Sequence, residues 1–309
     1  MKKTISKFLS MIMIAAMIVT VATGFSGNVG TYAAETETPV LVATASQSEI
    51  TVYVSISDKG DLVLKQKSVE VTDTDADGAL TISDALYCAH EKYYKGGAEA
   101  GYAASIGQYG LGVDKLWGDT SYNFGYYHND LSAYGADEVI ADGDYINAWI
   151  YIDGETYSDK YTFFNSHKIG VRNGASKKVK LSYAAFDENW NPVVYPLTNT
   201  RLVINEKDTD YITDEKGKVT LEFDKAGSYF VSAVNSNDTI VPPTCLIFVQ
   251  PKKGDTITVK NIDYTVTKLG TVKTGKKGRV TFSKSANEGK TAPKTVDFAG
   301  VTYKVKVVD

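Results

Sequence analysis

Asp73, Asp75 and Asp77 stand at alternate positions, Gly78 follows directly, and Asp84 comes seven residues after Asp77 in the stretch DTDADGALTISDAL. Carboxylates crowded this closely repel one another, and a hard divalent cation removes that cost by taking their oxygens as ligands. A calcium loop of the EF-hand type draws ligands from positions 1, 3, 5, 7, 9 and 12 and places glycine at 6, where the chain must turn sharply. With Asp73 first, the further ligands are Asp75, Asp77, the backbone carbonyl of Ala79, Thr81 and Asp84, and Leu80 is the apolar anchor. The expected ion is Ca2+ in a structural role, because an all-protein cage suits it better than Mg2+. Two features depart from a sensor site: Asp84 is one methylene shorter than the usual glutamate, and the preceding QKSVEVT alternates like a strand. An acidic turn without an ion, and a regulatory or catalytic metal, are the competing readings.

Elsewhere the sequence offers little chemistry. The three histidines, His90, His128 and His167, show no His-x-x-x-His spacing, and there is no Gly-x-Ser-x-Gly elbow or phosphate-cradling glycine loop. His90 is expected to be a hydrogen-bonded imidazole on the flank of a helix, and His128 an exposed residue beside a turn. No catalytic residue and no organic cofactor is expected, and the chain reads as non-enzymatic. Cys88 and Cys245 are far apart and read as separate buried thiols, since a disulfide framework needs more cysteines. Tyrosines crowd the region between Tyr53 and Tyr161, beside Trp117 and Trp149. They suit either the core and edges of a small β domain or a surface that stacks on a flat, sugar-like ligand.

The elements that must hold the acidic loop follow from periodicity. EITVYVSI alternates, DKGD is a turn, and LVLKQKSVEV returns as the partner strand. After the loop, Ile82, Ala85, Leu86, Ala89 and Tyr93 recur at helical spacing until Gly96-Gly97. NFGYYHND and DGDYINAWIYIDG are two more strands, with a turn at Asp142-Gly143. Residues 35–168 thus form one domain with a single convincing helix. Residues 169–250 carry short strands at short intervals, such as KKVKLSYAAFD, GKVTLEFD and TCLIFVQ, in the rhythm of an immunoglobulin-like sandwich. Residues 251–309 form a small β module in which Val301, Tyr303, Val305 and Val307 alternate with Thr302, Lys304 and Lys306.

Residues 1–34 have the layout of a secretory signal peptide: Lys2, Lys3 and Lys7, an uncharged apolar run, then TYAAE. A retained membrane anchor is the alternative; no later run is long enough to span a membrane. The chain carries a net −4, unevenly spread: residues 251–309 hold 13 basic and 5 acidic residues, and residues 35–250 carry a net −15. An acidic body of this kind argues against nucleic acid as a partner. The basic end suits either an anionic cell envelope or a lysine-protected sheet edge.

The pieces TISDAL, LWGD, GYYHND and ADGDYINAWIY resemble a small domain related to the C-terminal, ligand-capping domain of transcobalamin, over roughly residues 48–165. That resemblance implies a β-grasp-like fold in secreted or surface-displayed proteins of Firmicutes, sometimes associated with small ligands or corrinoids. TDEKGKVTLEFDKAGSYFVSA resembles bacterial immunoglobulin-like domains, and GVTYKVKVVD is similar to β modules of clostridial surface proteins. The acidic loop also looks like half of a dockerin, whose second copy is missing. The expected protein is mainly β with one α-helix, secreted or at the cell surface and calcium-stabilised. It would act as a binding or adhesion module for an extracellular glycan, protein or envelope polymer. The alternative is a corrinoid- or glycan-like small-ligand binder using the Tyr-rich face.

Overall fold

Alternating apolar residues make Ile50–Asp58 a strand (β1) that turns through Lys59 and Gly60, both at positive φ, into Asp61–Val71 (β2). Two positive-φ residues in a two-residue loop match the right-handed twist of the flanking strands. In this computed structural model, residues 49–272 and 276–309 are described; the signal-peptide expectation for residues 1–34 lies outside them.

Helix α1 (Ile82–Tyr93) follows the acidic loop, and a short helical turn, α2 (Gly97–Gly101), adds to the single helix expected. A small hairpin, β3 (Ala103–Gly107) and β4 (Gly110–Lys115), precedes β5 (Phe124–His128), β6 (Leu131–Ser132) and β7 (Tyr145–Ile150). The sheet order is β2-β1-β7-β5-β6, with β1 and β7 parallel and the other pairs antiparallel. A hairpin, a helix and a second pair of strands whose last member lies parallel to the first is a β-grasp arrangement. Helix α1 covers the sheet with Ile82, Ala85, Leu86 and Ala89, which join Val52, Val54, Ile56, Val69 and Ile146 in one core.

The next strands are β8 (Lys160–Phe164), β9 (Lys168–Arg172), β10 (Ser176–Phe186), β11 (Pro192–Pro196) and β12 (Arg201–Ile204). They continue as β13 (Lys207–Ile212), β14 (Lys218–Glu222), β15 (Gly227–Val234), β16 (Ile240–Val241) and β17 (Cys245–Gln250). One sheet runs β11-β10-β8-β16, with β14 also paired to β10, and the other runs β13-β12-β15-β17-β9. Phe164, Val179, Leu181 and Leu221 from the first meet Leu202, Val231, Ile247 and Val249 from the second, so the two form an immunoglobulin-like sandwich. Its first strand, β8, falls inside the 35–168 stretch given above to the first domain, yet it pairs with β10 and β16. The sandwich therefore starts before residue 169. Phe164 explains this, because its ring is buried in the second core and not the first.

The chain ends in β18 (Thr256–Val259), β19 (Ile262–Lys268), β20 (Gly278–Ser283), β21 (Thr295–Phe298) and β22 (Val301–Val308), ordered β18-β19-β20-β22-β21. Tyr264, Val280, Phe282, Val301 and Tyr303 fill its core. A Cβ on Gly278 would stand 2.3 Å from the Tyr303 ring, so glycine is what lets that ring lie flat on β20.

The first two cores meet through Trp149, Tyr161 and Val241. Around them, Tyr161 donates to Asp130 at 2.8 Å, Gln66 donates to the His167 carbonyl at 3.0 Å, and the Tyr145 and His167 rings stack at 3.9 Å. No helix among the described residues is long and apolar enough to cross a membrane.

Candidate metal centre

The acidic loop bridges the end of β2 and the start of α1, so its geometry is fixed at both ends. Asp73 accepts the Ala76 amide at 2.7 Å and the Gly78 amide at 2.9 Å; Asp75 accepts from Asp77, and Asp77 from Ala79. Each aspartate thus folds the chain back on itself two to five residues on. Ala76 and Gly78 take positive φ of 62° and 88°. Nothing lies within 4 Å of a Cβ built on Gly78, so the demand for glycine there is conformational and not steric.

The loop's exit is pinned to the body of the domain. Ile140 donates to the Leu80 carbonyl, Ile82 to Glu138 and Ser83 to Ala136, so residues 136–140 pair with the segment that opens α1. The remaining donors of the first turn go to Thr81: the Asp84 amide bonds its hydroxyl, and the Ala85 amide its carbonyl. Asp84 returns the contact by accepting the Thr81 amide at 2.9 Å, which completes a capping box. The signal for it lies in the sequence beside the metal-loop pattern: TISD has the Thr-x-x-acid spacing of a helix start.

Asp73, Asp75 and Asp84 each place one oxygen within 4.8 Å of the others. Oxygens bound to one Ca2+ at 2.3–2.6 Å stand at most about 5 Å apart, so these three suit a shared ion. Asp77 lies outside that trio, and Thr81 spends its hydroxyl on Asp84 at 2.7 Å. Asp84 is 1% exposed and differs in kind from the other two. Its Oδ1 accepts the amide and hydroxyl of Thr74 at 2.8 and 2.5 Å, and its Oδ2 accepts the amide and hydroxyl of Thr81. A carboxylate has about four lone-pair sites, so Asp84 is filled by threonine and can give an ion one oxygen only by releasing a partner.

The electrostatics divide along the same line. The Gly78 amide holds the Asp73 carboxyl below the ordinary aspartate range. Loss of solvent pushes the Asp75 carboxyl up; the Asp77 amide opposes this, and the charges of Asp77, Asp84 and Asp73 add to the rise. Asp75 is therefore raised first by loss of solvent, with like-charge repulsion from its three neighbours as a smaller addition.

Two of the histidines are held by close partners within the first domain. His90 is buried, donates from Nδ1 to the Leu86 carbonyl at 2.6 Å and accepts the Trp117 amide at Nε2 at 2.9 Å, which fixes a neutral tautomer. Burial pushes it down to about 4. His128 is not the exposed residue expected: Glu138 and Asp144 grip its two nitrogens at 2.6 and 2.7 Å. Partial burial opposes its charge, yet the two carboxylates prevail and raise its pKa. Both cysteines are free; Cys245 is buried, which pushes its thiol up to about 12, and Cys88 is half-buried.

No family model and no curated protein matches this chain. Among solved structures, it is similar to the D0-D1 domain of Intimin at 15% identity, covering 65% of this chain and 100% of that one, with a TM-score of 0.25. It is also similar to the N-terminal four Ig domains of Dscam1 isoform 4.44 at 8% identity, covering 67% of this chain and 44% of that one, with a TM-score of 0.20. At these scores neither superposition bears on function.

Proposed function

We propose that this chain is a non-enzymatic binding or adhesion module of an exported, surface-displayed protein, and that Ca2+ stabilises its first domain. The convergence of Asp73, Asp75 and Asp84 oxygens within 4.8 Å carries the calcium part of the reading. Asp73 and Asp75 would hold the ion with one oxygen of Asp84 released from a threonine, and Asp77, the Ala79 carbonyl and Thr81, which stand outside that trio, would complete the set only by turning toward the ion. The ion would supply charge neutralisation and no chemistry. What the chain itself does is set the loop in place, through the Thr81–Asp84 cap and the pairing with residues 136–140. Export rests on the charged and apolar pattern of residues 1–34, and display on three sheet modules in series.

The alternative, a small ligand held by the tyrosine-rich face, draws support from the β-grasp order that the transcobalamin resemblance implies. Against it, Tyr53 stacks on Tyr145 and Tyr145 on His167, and Tyr127, Trp149 and Tyr161 form a second cluster of tilted rings, so much of that aromatic surface is spent internally. The surface-module reading is the better supported.

Thermal denaturation of the full chain tests the calcium part. Millimolar Ca2+ is expected to raise the melting temperature by several degrees over chelator, and Asp73→Asn with Asp75→Asn is expected to abolish the rise. A melt indifferent to calcium would overturn it. Fractionation of the producing cells tests export, and a purely cytoplasmic protein would contradict it.

A further inference from the structure

Strand pairing in the last module gathers cations that the sequence holds far apart. Antiparallel pairing sets Lys268 of β19 opposite Arg279 of β20, and parallel pairing sets Arg279 beside Lys304 of β22 and Thr281 beside Lys306. All four cations are exposed on the side away from the core: Arg279 and Lys304 alternate with buried Val280 and Tyr303, Lys306 follows Lys304 two residues on, and a bulge after Val266 brings Lys268 opposite Arg279. Together with Thr281 they line one shallow depression in the sheet face. None of the four makes an ion pair among the described residues, although ion pairs form elsewhere in the chain. Among the described residues, no carboxylate lines the depression. The aromatic rings Tyr264, Phe282 and Tyr303 all point inward, so the face offers no platform on which a base or sugar ring could stack.

We infer that this face binds a linear phosphodiester polymer of the cell envelope through Lys268, Arg279, Lys304 and Lys306. The inference deepens the surface-module reading and rests on it for the source of the polymer. Adjacent strands are about 4.8 Å apart, and alternate residues on one strand about 6.7 Å apart. The four cations therefore form a flat grid that fits a chain with one negative charge per repeat better than it fits a compact dianion. Arg279, near the middle of the grid, supplies a planar fork for two phosphate oxygens, and the three lysines act as point charges around it. Thr281 adds a hydroxyl donor beside Lys306. The charge distribution agrees: residues 251–309 are net positive in a chain that is otherwise strongly acidic, so the acidic modules repel a polyanion and orient it toward this end.

The test uses the full chain and lipid-free poly(glycerol phosphate), with binding read by calorimetry or interferometry. Binding is expected at physiological salt, to weaken more than tenfold between 50 and 200 mM NaCl as released counterions predict, and to fall at least tenfold in K268Q/R279Q/K304Q/K306Q. The control K178Q/K207Q/K216Q/K225Q, on the sandwich, is expected to bind like the parent. If the quadruple variant does not fold, R279Q alone carries the test, with an expected loss of threefold or more at an unchanged melting temperature. No binding of the parent at physiological salt, or equal losses in both quadruple variants, would overturn the inference. So would tighter binding of poly-glutamate, single-stranded DNA or anionic vesicles, or a concentration-dependent dimer blocked by the same substitutions. Failure of the surface reading looks different: the protein would bind the polymer in vitro yet stay in the cytoplasm.

Discussion

The acidic loop and the basic sheet face are both dense in charge, and they handle it in opposite ways. In the loop, Asp73, Asp75, Asp77 and Asp84 bend inward and receive backbone amides and threonine hydroxyls, so the charge organises the chain that carries it. On the face, Lys268, Arg279, Lys304 and Lys306 stand outward, with no ion-pair partner among the described residues, on strands already held by their own ladder. Charges that build structure are satisfied from within. Charges that the structure does not need are free to meet a partner. Substituting the first kind is expected to change stability, and substituting the second to change binding.

The largest effect is expected at Asp84. Replacing it with alanine removes four hydrogen bonds and half of the capping box at a buried position, a cost of about 3 kcal/mol with or without calcium. Chemical denaturation in chelator checks this; a loss that appears only in calcium would make Asp84 a ligand first and a cap second. Asp75→Asn is the complementary change. It relieves repulsion, so in chelator it is expected to be neutral or slightly stabilising, and to lower stability only in calcium. Because Tyr161, Gln66 and Tyr145 tie the first core to the second, chelation is expected to lower the melting of both together.

An intermediate effect concerns pH. His90 has a folded pKa near 4, below its unfolded value, so its contribution is complete above about pH 6.5 and is lost as pH falls toward 4. Acidification from pH 7 to 5 is then expected to cost about 2 kcal/mol at this residue. His128 has the opposite sign: its raised pKa gives a contribution present below the unfolded value and lost as pH rises through the folded one. NMR titration of the two imidazoles checks both, with His90 expected near 4 and His128 above 6.5. A His90 that titrates at an ordinary value would mean that its neutral bridge from Leu86 to Trp117 is absent. The smallest effect belongs to the basic face, where the four glutamine substitutions are expected to change folding stability by less than about 0.5 kcal/mol.

Much of the fold was legible because its signals are local. The alternation of β1, β10 and β22, the DKGD turn and the spacing of Ile82, Ala85, Leu86 and Ala89 each depend on neighbours in sequence. The acidic loop was legible for the same reason, and so was the strand that leads into it. What escaped depends on distant partners. Residues 136–140 pin the loop's exit from more than fifty positions away. Strand β8 follows the first domain after only a short turn segment, and its pairing with β10 and β16 assigns it to the sandwich. His128 looked exposed beside its turn because Glu138 and Asp144 approach it through the fold. The basic grid exists only once β20 and β22 lie parallel. Thr81 and Asp84 are a separate case: TISD carries a helix cap and a metal-loop pattern on the same residues, and the cap is the one that the hydrogen bonds form.

Calorimetric titration of the chelator-treated full chain with CaCl2 tests the central claim most directly. One ion per chain is expected to bind with a dissociation constant in the millimolar range or tighter, as in extracellular calcium modules, and the heat is expected to vanish in Asp73→Asn with Asp75→Asn while Lys268→Gln leaves it intact. Absence of uptake at several millimolar calcium by a folded protein would contradict it, and would leave the loop a purely hydrogen-bonded turn.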